Sequence, residues 1–78
     1  MIIKNIKPQD DYKLKITTDN GRIGIFDVKP YLEFDAFAEL KKQEEFNKVI
    51  NGGYFVEWDC GADLSADAVE AHLTAIKN

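Results

Sequence analysis

The sequence is short of the residues on which most enzyme sites are built. It holds one cysteine, Cys60, and one histidine, His72, among 78 residues. A lone cysteine closes no intramolecular disulfide, and neither a thiolate zinc cage nor a multi-histidine metal set can be assembled. No Gly-rich phosphate loop, serine elbow or zinc motif occurs. Long hydrophobic runs are missing as well. No stretch approaches the ~20 apolar residues of a membrane span, and the isoleucines of residues 1–11 are spaced by polar residues, unlike a signal peptide. Ten Lys and Arg against fourteen Asp and Glu leave a net charge of −4, which argues against a broad basic groove for nucleic acid. These absences predict a soluble, cytoplasmic protein with no cofactor, no metal, no membrane association and no direct nucleic-acid binding by this chain alone.

What is present is a folding sequence. Hydrophobic residues make up 45% and charged residues of mixed sign 31%, interleaved in a way that disordered segments are not. One domain, residues 1–78, is expected. A chain of this size buries only about 60% of its unfolded surface, so a deep cleft between two large layers is not expected.

The first half reads as β. In Ile2-Ile3-Lys4-Asn5-Ile6-Lys7-Pro8, alternation places Ile2 and Ile6 on one face and Asn5 and Lys7 on the other, with Ile3 out of phase. Pro8 lacks a backbone donor, so this strand should end there or lie at a sheet edge. Tyr12, Leu14 and Ile16 alternate with Lys13, Lys15 and Thr17, as a half-buried strand requires. Asn20-Gly21 is a hairpin signal, because both central residues of a type I′ turn need positive φ. A two-residue loop pairs Thr18 with Ile23 and Ile16 with Ile25 on the apolar face. A three-residue loop would set Ile16 against Gly24 and turn the isoleucines to the lysine side, so the two-residue loop is predicted. Phe26 and Val28 run in the opposite phase to Ile25, which predicts a β-bulge or a twist over residues 25–27.

The second half mixes helix and strand. Pro30-Tyr31-Leu32 predicts a single turn with two apolar anchors. Asp35 is the expected N-cap of a helix over 36–41 carrying Phe37 and Leu40 on one face. A second helix over 44–50 carries Phe46, Val49 and Ile50, and Asn51-Gly52-Gly53 ends it. Tyr54, Val56 and Trp58 share one face of a fourth strand, with residues 62–64 as a short fifth. Ser65 caps a final helix over 66–76 whose stripe is Val69, Leu73 and Ile76. The class is therefore α+β: a small antiparallel sheet of four to five strands in the order β-β-β-α-β-β-α, packed against short helices and a C-terminal helix.

Polar and aromatic residues supply the functional candidates. Glu57, Asp59, Asp63 and Asp67 cluster around the turn after Trp58, and carboxylates so placed could take a hard cation. Their spacing is not that of an EF-hand loop. The plainer account has Asp59 and Asp63 bonding turn amides and Asp67 serving a helix N-terminus. Cys60 and His72 would be a nucleophile and base only if the fold brought them together. Lys13 and Lys15 share the outer face of strand two, a surface for an acidic partner or a guard against sheet-to-sheet association. From Gly52 onward there are five carboxylates and one lysine. Of nine aromatics, Phe26, Phe37, Phe46 and Trp58 sit at core phases. Phe34 and Phe55 do not, and their exposure would mark a protein contact.

Read in order, Phe26-Asp27-Val28-Lys29-Pro30-Tyr31-Leu32, Phe37-Ala38-Glu39-Leu40, Phe46, Trp58 and Gly61-Ala62-Asp63-Leu64 with Asp67 form a string. It resembles domain-of-unknown-function family 2442, a family of short bacterial proteins, and with the Asn20-Gly21 hairpin the resemblance covers nearly the whole chain. The resemblance implies a compact α+β domain, sometimes fused to a helix-turn-helix and often encoded beside another small protein, as toxin–antitoxin pairs are. It implies no catalytic residues. The expectation is a non-enzymatic interaction module with a protein partner or a homodimer, its candidate surface being Phe34, Phe55, Lys13, Lys15, Asp59 and Asp63. The alternative is a small-ligand or metal-binding enzyme built on the acidic turn, with His72.

Overall fold

A computed structural model describes residues 1–76. The chain begins with β1 (Ile3–Gln9), β2 (Lys13–Thr18) and β3 (Ile23–Asp27). Two 3-10 segments follow, Lys29–Glu33 and Asp35–Lys41, and then α1 (Gln43–Phe46). The rest is β4 (Ile50–Asn51), β5 (Phe55–Glu57), β6 (Asp63–Ser65), α2 (Ala66–Ala71) and β7 (Thr74–Ala75). The strands form a four-stranded antiparallel sheet, β1-β2-β3-β7, and a three-stranded one, β4-β5-β6. The α+β class stands, with the predicted strands divided between two sheets.

The β2–β3 hairpin corrects the predicted register. Ile16 faces Gly24, Leu14 faces Phe26 and Lys15 faces Ile25. The loop is Asp19-Asn20-Gly21, closed by Thr18 N–H to the Arg22 carbonyl at 2.9 Å, with Gly21 at φ +86°. A three-residue loop with glycine in the left-handed region is the other common hairpin solution. It wins because it aligns Leu14, Ile16, Phe26 and Val28 on one face, all fully buried. Ile23 and Ile25 are left half-buried on the lysine face, and no bulge is needed in β3. The buried Thr18 hydroxyl is satisfied within this loop, donating to Asn20 Oδ1 and accepting from Arg22 N–H at 3.1 Å.

The bulge lies in β1 instead. The register shifts between Ile3 and Asn5, which brings Ile3 into the core at 2% exposure and leaves Ile2 outside at 37%. Pro8 does not end the strand. It pairs opposite Leu14 on a strand at the sheet edge, where a missing donor costs nothing.

The middle segment is less helical than expected. Residues Asp35–Lys41 wind as 3-10, Asp35 is the first residue of that segment and no side chain caps it. Phe37 and Leu40 are nevertheless buried together, since an i, i+3 pair eclipses in a 3-10 turn. The next helix stops at Phe46, and Ile50 lies exposed in β4. The predicted helix end Asn51-Gly52-Gly53 instead runs into a β4–β5 hairpin turning at Gly53-Tyr54, with Gly52 N–H donating to the Phe55 carbonyl at 2.9 Å and Gly53 at φ +83°. Ser65 caps α2 as expected, its Oγ accepting the Ala68 N–H at 3.1 Å. That helix ends at Ala71, and residues 74–75 pair with β3. The predicted stripe thus loses Ile76, which is exposed.

The reversal into β7 depends on Gly24. A Cβ there would lie 2.6 Å from Leu73 Cγ and 2.9 Å from the Thr74 carbonyl, so only glycine lets the returning chain approach the strand. The two sheets meet at the start of β1. Ile3 N–H donates to the Gly53 carbonyl at 2.7 Å, and Asn51 Nδ2 donates to the Ile3 carbonyl at 3.0 Å. A continuous row of rings, Tyr12, Phe46, Trp58, Phe37, Tyr31 and Phe26, runs through the core at centroid spacings of 5.5 to 6.3 Å.

Candidate functional site

The register decides which side chains share each outer face. On the four-stranded sheet, Lys7 sits directly opposite Lys15, which in turn faces Ile25. Lys13 lies on the same face opposite Asp27 and 3.7 Å from the Asp11 carboxylate, and Thr17 faces Ile23 on the other side of the Lys15–Ile25 row. Like charges directly opposite across a ladder are unfavourable. Among the described residues, neither Lys7 nor Lys15 enters an ion pair.

The three-stranded sheet carries the opposite sign. Ile50, Glu57 and Asp63 form one row across it, and Phe55 faces Ser65 in the next row on the same side. Ile50 and Phe55 are 43% and 40% exposed. The Phe55 ring lies over Gly52, where a Cβ would come within 2.3 Å of it. An exposed aromatic held against a glycine is a positioned contact rather than a loose one. Glu57 and Asp63 are again a like-charge cross-strand pair, and neither is ion-paired among the described residues.

The six residues singled out from the sequence therefore separate. Lys13 and Lys15 stand on one sheet, and Phe55 and Asp63 together on the other. Asp59 is exposed in the β5–β6 turn, off both faces. Phe34, 60% exposed, flanks a cleft of about 460 Å³ with Asp27, Pro30, Tyr31 and His72. This cleft was not foreseen. It forms where the chain turns from α2 into β7 beside the end of β3, and the Ala-rich composition of 66–76 concealed that turn. The β-branched Thr74 and Ile76 were the one available signal.

The acidic turn does not converge. Glu57 and Asp63 face each other, Asp59 is on the turn and Asp67 is in the first turn of α2. Among the described residues, no group of three or more His, Cys, Asp or Glu side chains could hold a metal ion. Cys60 and His72 do not form the imagined dyad. The Cys60 thiol lies 4.0 Å from the Ala36 carbonyl, whereas His72 lines the cleft.

The strongest electrostatic contact lies at the β1–β2 turn. Lys29 Nζ donates to Asp11 Oδ1 at 2.8 Å, and this bond holds the Asp11 carboxyl below its usual 3.8 and raises the Lys29 amine above 10.5. Both side chains are exposed, so the pair is a local clasp. Asp11 and Tyr12 sit at φ 61° and 60°, two consecutive left-handed residues without glycine. Tyr12 is held there by its ring edge on Phe46 at 5.6 Å, its hydroxyl donating to the Lys41 carbonyl, and its carbonyl accepting Val28 N–H at 2.9 Å.

The profile of the family described as "Protein of unknown function (DUF2442)" matches residues 3–75, from the first residue of β1 to the last of β7. The chain belongs to this family. The DUF2442 match spans both sheets and the cleft, and it agrees with the resemblance carried by the string from Phe26 to Asp67. Searches of curated proteins and of solved structures find no match. For this DUF2442 member, no described helix is long and apolar enough to cross a membrane.

Proposed function

We propose that this DUF2442 protein is a non-enzymatic interaction module that binds another protein through the outer faces of its sheets. The observation that carries the reading is the exposed pair Ile50 and Phe55 beside Glu57 and Asp63. Apolar side chains turned toward solvent and rimmed by charge are the composition of a contact surface. A finer form makes it the antitoxin-like or regulatory partner of a neighbouring small protein in a bacterial cytoplasm, supported by the family resemblance.

The test is co-expression with the neighbouring gene product and affinity capture, alongside cross-linking of the protein alone. A protein should be retained by the wild type and lost from Phe55→Ser. Retention unaffected by Phe55→Ser, or a monomer that retains nothing, counts against the reading.

The cleft favours a second reading, small-ligand binding. Its volume of about 460 Å³ lies within the range of roughly 300–1,000 Å³ typical of ligand sites. Tyr31, Phe34 and Pro30 supply apolar walls, and Asp27 and His72 supply polar groups. Ligand screening by NMR should then shift the His72 and Tyr31 ring signals together. If no compound moves them, this second reading is removed.

A further inference from the structure

Two features of the surface are unfavourable for an isolated chain and opposite in sign. The outer face of the four-stranded sheet holds the Lys7–Lys15 pair, and every residue on it, including Ile23 and Ile25, is half-buried or exposed. The outer face of the three-stranded sheet holds the Glu57–Asp63 pair with exposed Ile50 and Phe55. Each face thus joins two apolar side chains to a like-charge pair that makes no ion pair among the described residues, positive on one and negative on the other. The carboxylate on the lysine face, Asp27, stands opposite Lys13.

Resting on the interaction-module reading above, we infer that the partner is a second copy of this chain, the Lys7/Lys15 face of one copy seating on the Glu57/Asp63 face of the next. The contact brings each lysine pair to a carboxylate pair, which removes the cross-strand repulsion in both. It also covers Ile23 and Ile25 of one copy with Ile50 and Phe55 of the other. Because the two faces differ, the contact is heterologous and can repeat from copy to copy. An acidic partner of another kind would satisfy the lysines but leave the carboxylate face unmatched. A second copy satisfies both. The net charge of −4 opposes association only over distances that salt screens.

Charge reversal of one face at a time tests this. The variant Lys7→Glu with Lys15→Glu keeps the acidic face and loses the basic one. The variant Glu57→Lys with Asp63→Lys does the opposite. Both exchange one like-charge cross-strand pair for another, and far-UV circular dichroism checks their folds. Analytical ultracentrifugation should show the wild type associating with concentration and less so at high salt, and each variant alone weakened by about tenfold or more. An equimolar mixture should associate again, because the intact acidic face of the first variant meets the intact basic face of the second.

Three results overturn the inference: a wild type that stays monomeric at low salt, variants that associate as well as the wild type, or a mixture that stays monomeric. A monomeric wild type that still captures a different protein sensitive to Phe55→Ser overturns the second-copy inference and leaves the module reading standing. One that captures nothing overturns both.

Discussion

The Trp58 indole N–H donates to the main-chain carbonyl of Phe46 at 2.9 Å, and the two rings stack at 6.1 Å. Trp58 follows β5, whereas Phe46 ends α1, so one buried bond ties the three-stranded sheet to the helical middle of the chain. Both side chains are almost wholly buried, which makes the bond a consequence of the core and not of solvent chemistry.

Trp58→Phe therefore keeps an aromatic ring and leaves the Phe46 carbonyl unpaired. A buried acceptor without a partner costs about 1–3 kcal/mol, and this loss should appear as a lower urea midpoint with an unchanged slope. A midpoint equal to that of the wild type would mean that water replaces the indole.

Gly24→Ala should unpin β7. The new methyl meets the Thr74 backbone and the Leu73 side chain, and overpacking of this kind costs about 1–3 kcal/mol. Hydrogen exchange reads the outcome locally. The Ile76 amide, bonded to the Ile23 carbonyl at 2.9 Å, should lose protection while β1–β2 amides keep theirs. Equal protection at Ile76 in both proteins would contradict this account. Loss of β7 should also open the cleft beside His72 and alter its ring signals.

The Asp11–Lys29 clasp has a defined pH window. The hydrogen bond from Lys29 lowers the Asp11 carboxyl, so its contribution is present above the ordinary 3.8 and is lost as pH falls through the lowered folded value. The bond to Asp11 raises the Lys29 amine, so its contribution is present below 10.5 and is lost as pH rises through the raised folded value. Between those limits stability should not respond to this pair. Carboxyl NMR titration of Lys29→Gln should move the Asp11 midpoint upward toward 3.8. An unmoved midpoint would show that Lys13 carries the effect.

Tyr12→Phe removes the hydroxyl that donates to the Lys41 carbonyl and keeps the ring on Phe46. A typical net hydrogen bond contributes about 0.5–1.5 kcal/mol, and the exposed carbonyl can turn to water, so the loss should fall at the low end. Tyr12→Ala also releases the ring from a residue held at φ 60°, and holding a non-glycine residue there costs about 1–2 kcal/mol. Alanine keeps its Cβ and therefore that cost, so its destabilisation, measured by thermal unfolding, should exceed that of Tyr12→Phe by the lost ring burial.

Some of this protein could be read from its residues alone. Period-two alternation in β2, the Ser65 cap and the core phases of Phe26, Phe37, Phe46 and Trp58 are local properties, each set by a residue and its near neighbours. The ordered string from Phe26 to Asp67 was enough to place the chain in its family. The surface candidates were legible as residue types, aromatics out of phase and lysines facing outward, but not as a constellation.

Tertiary structure decided the rest. The hairpin loop could be two residues or three by local rules. Burial of Phe26 and Val28 with Leu14 and Ile16 chose three, because one slip exchanges the faces of a whole strand. Helix propensity continued α2 through its alanines, yet the gap above Gly24 took residues 74–75 into a sheet. The pairing of Lys7 with Lys15 and of Glu57 with Asp63 follows from those registers and from nothing nearer in sequence. What the chain determined by itself was which residues are apolar, charged or flexible. Which of them stand side by side, and so what surface the protein offers, was settled by long-range burial, because only a closed core ranks registers that local chemistry leaves nearly equal.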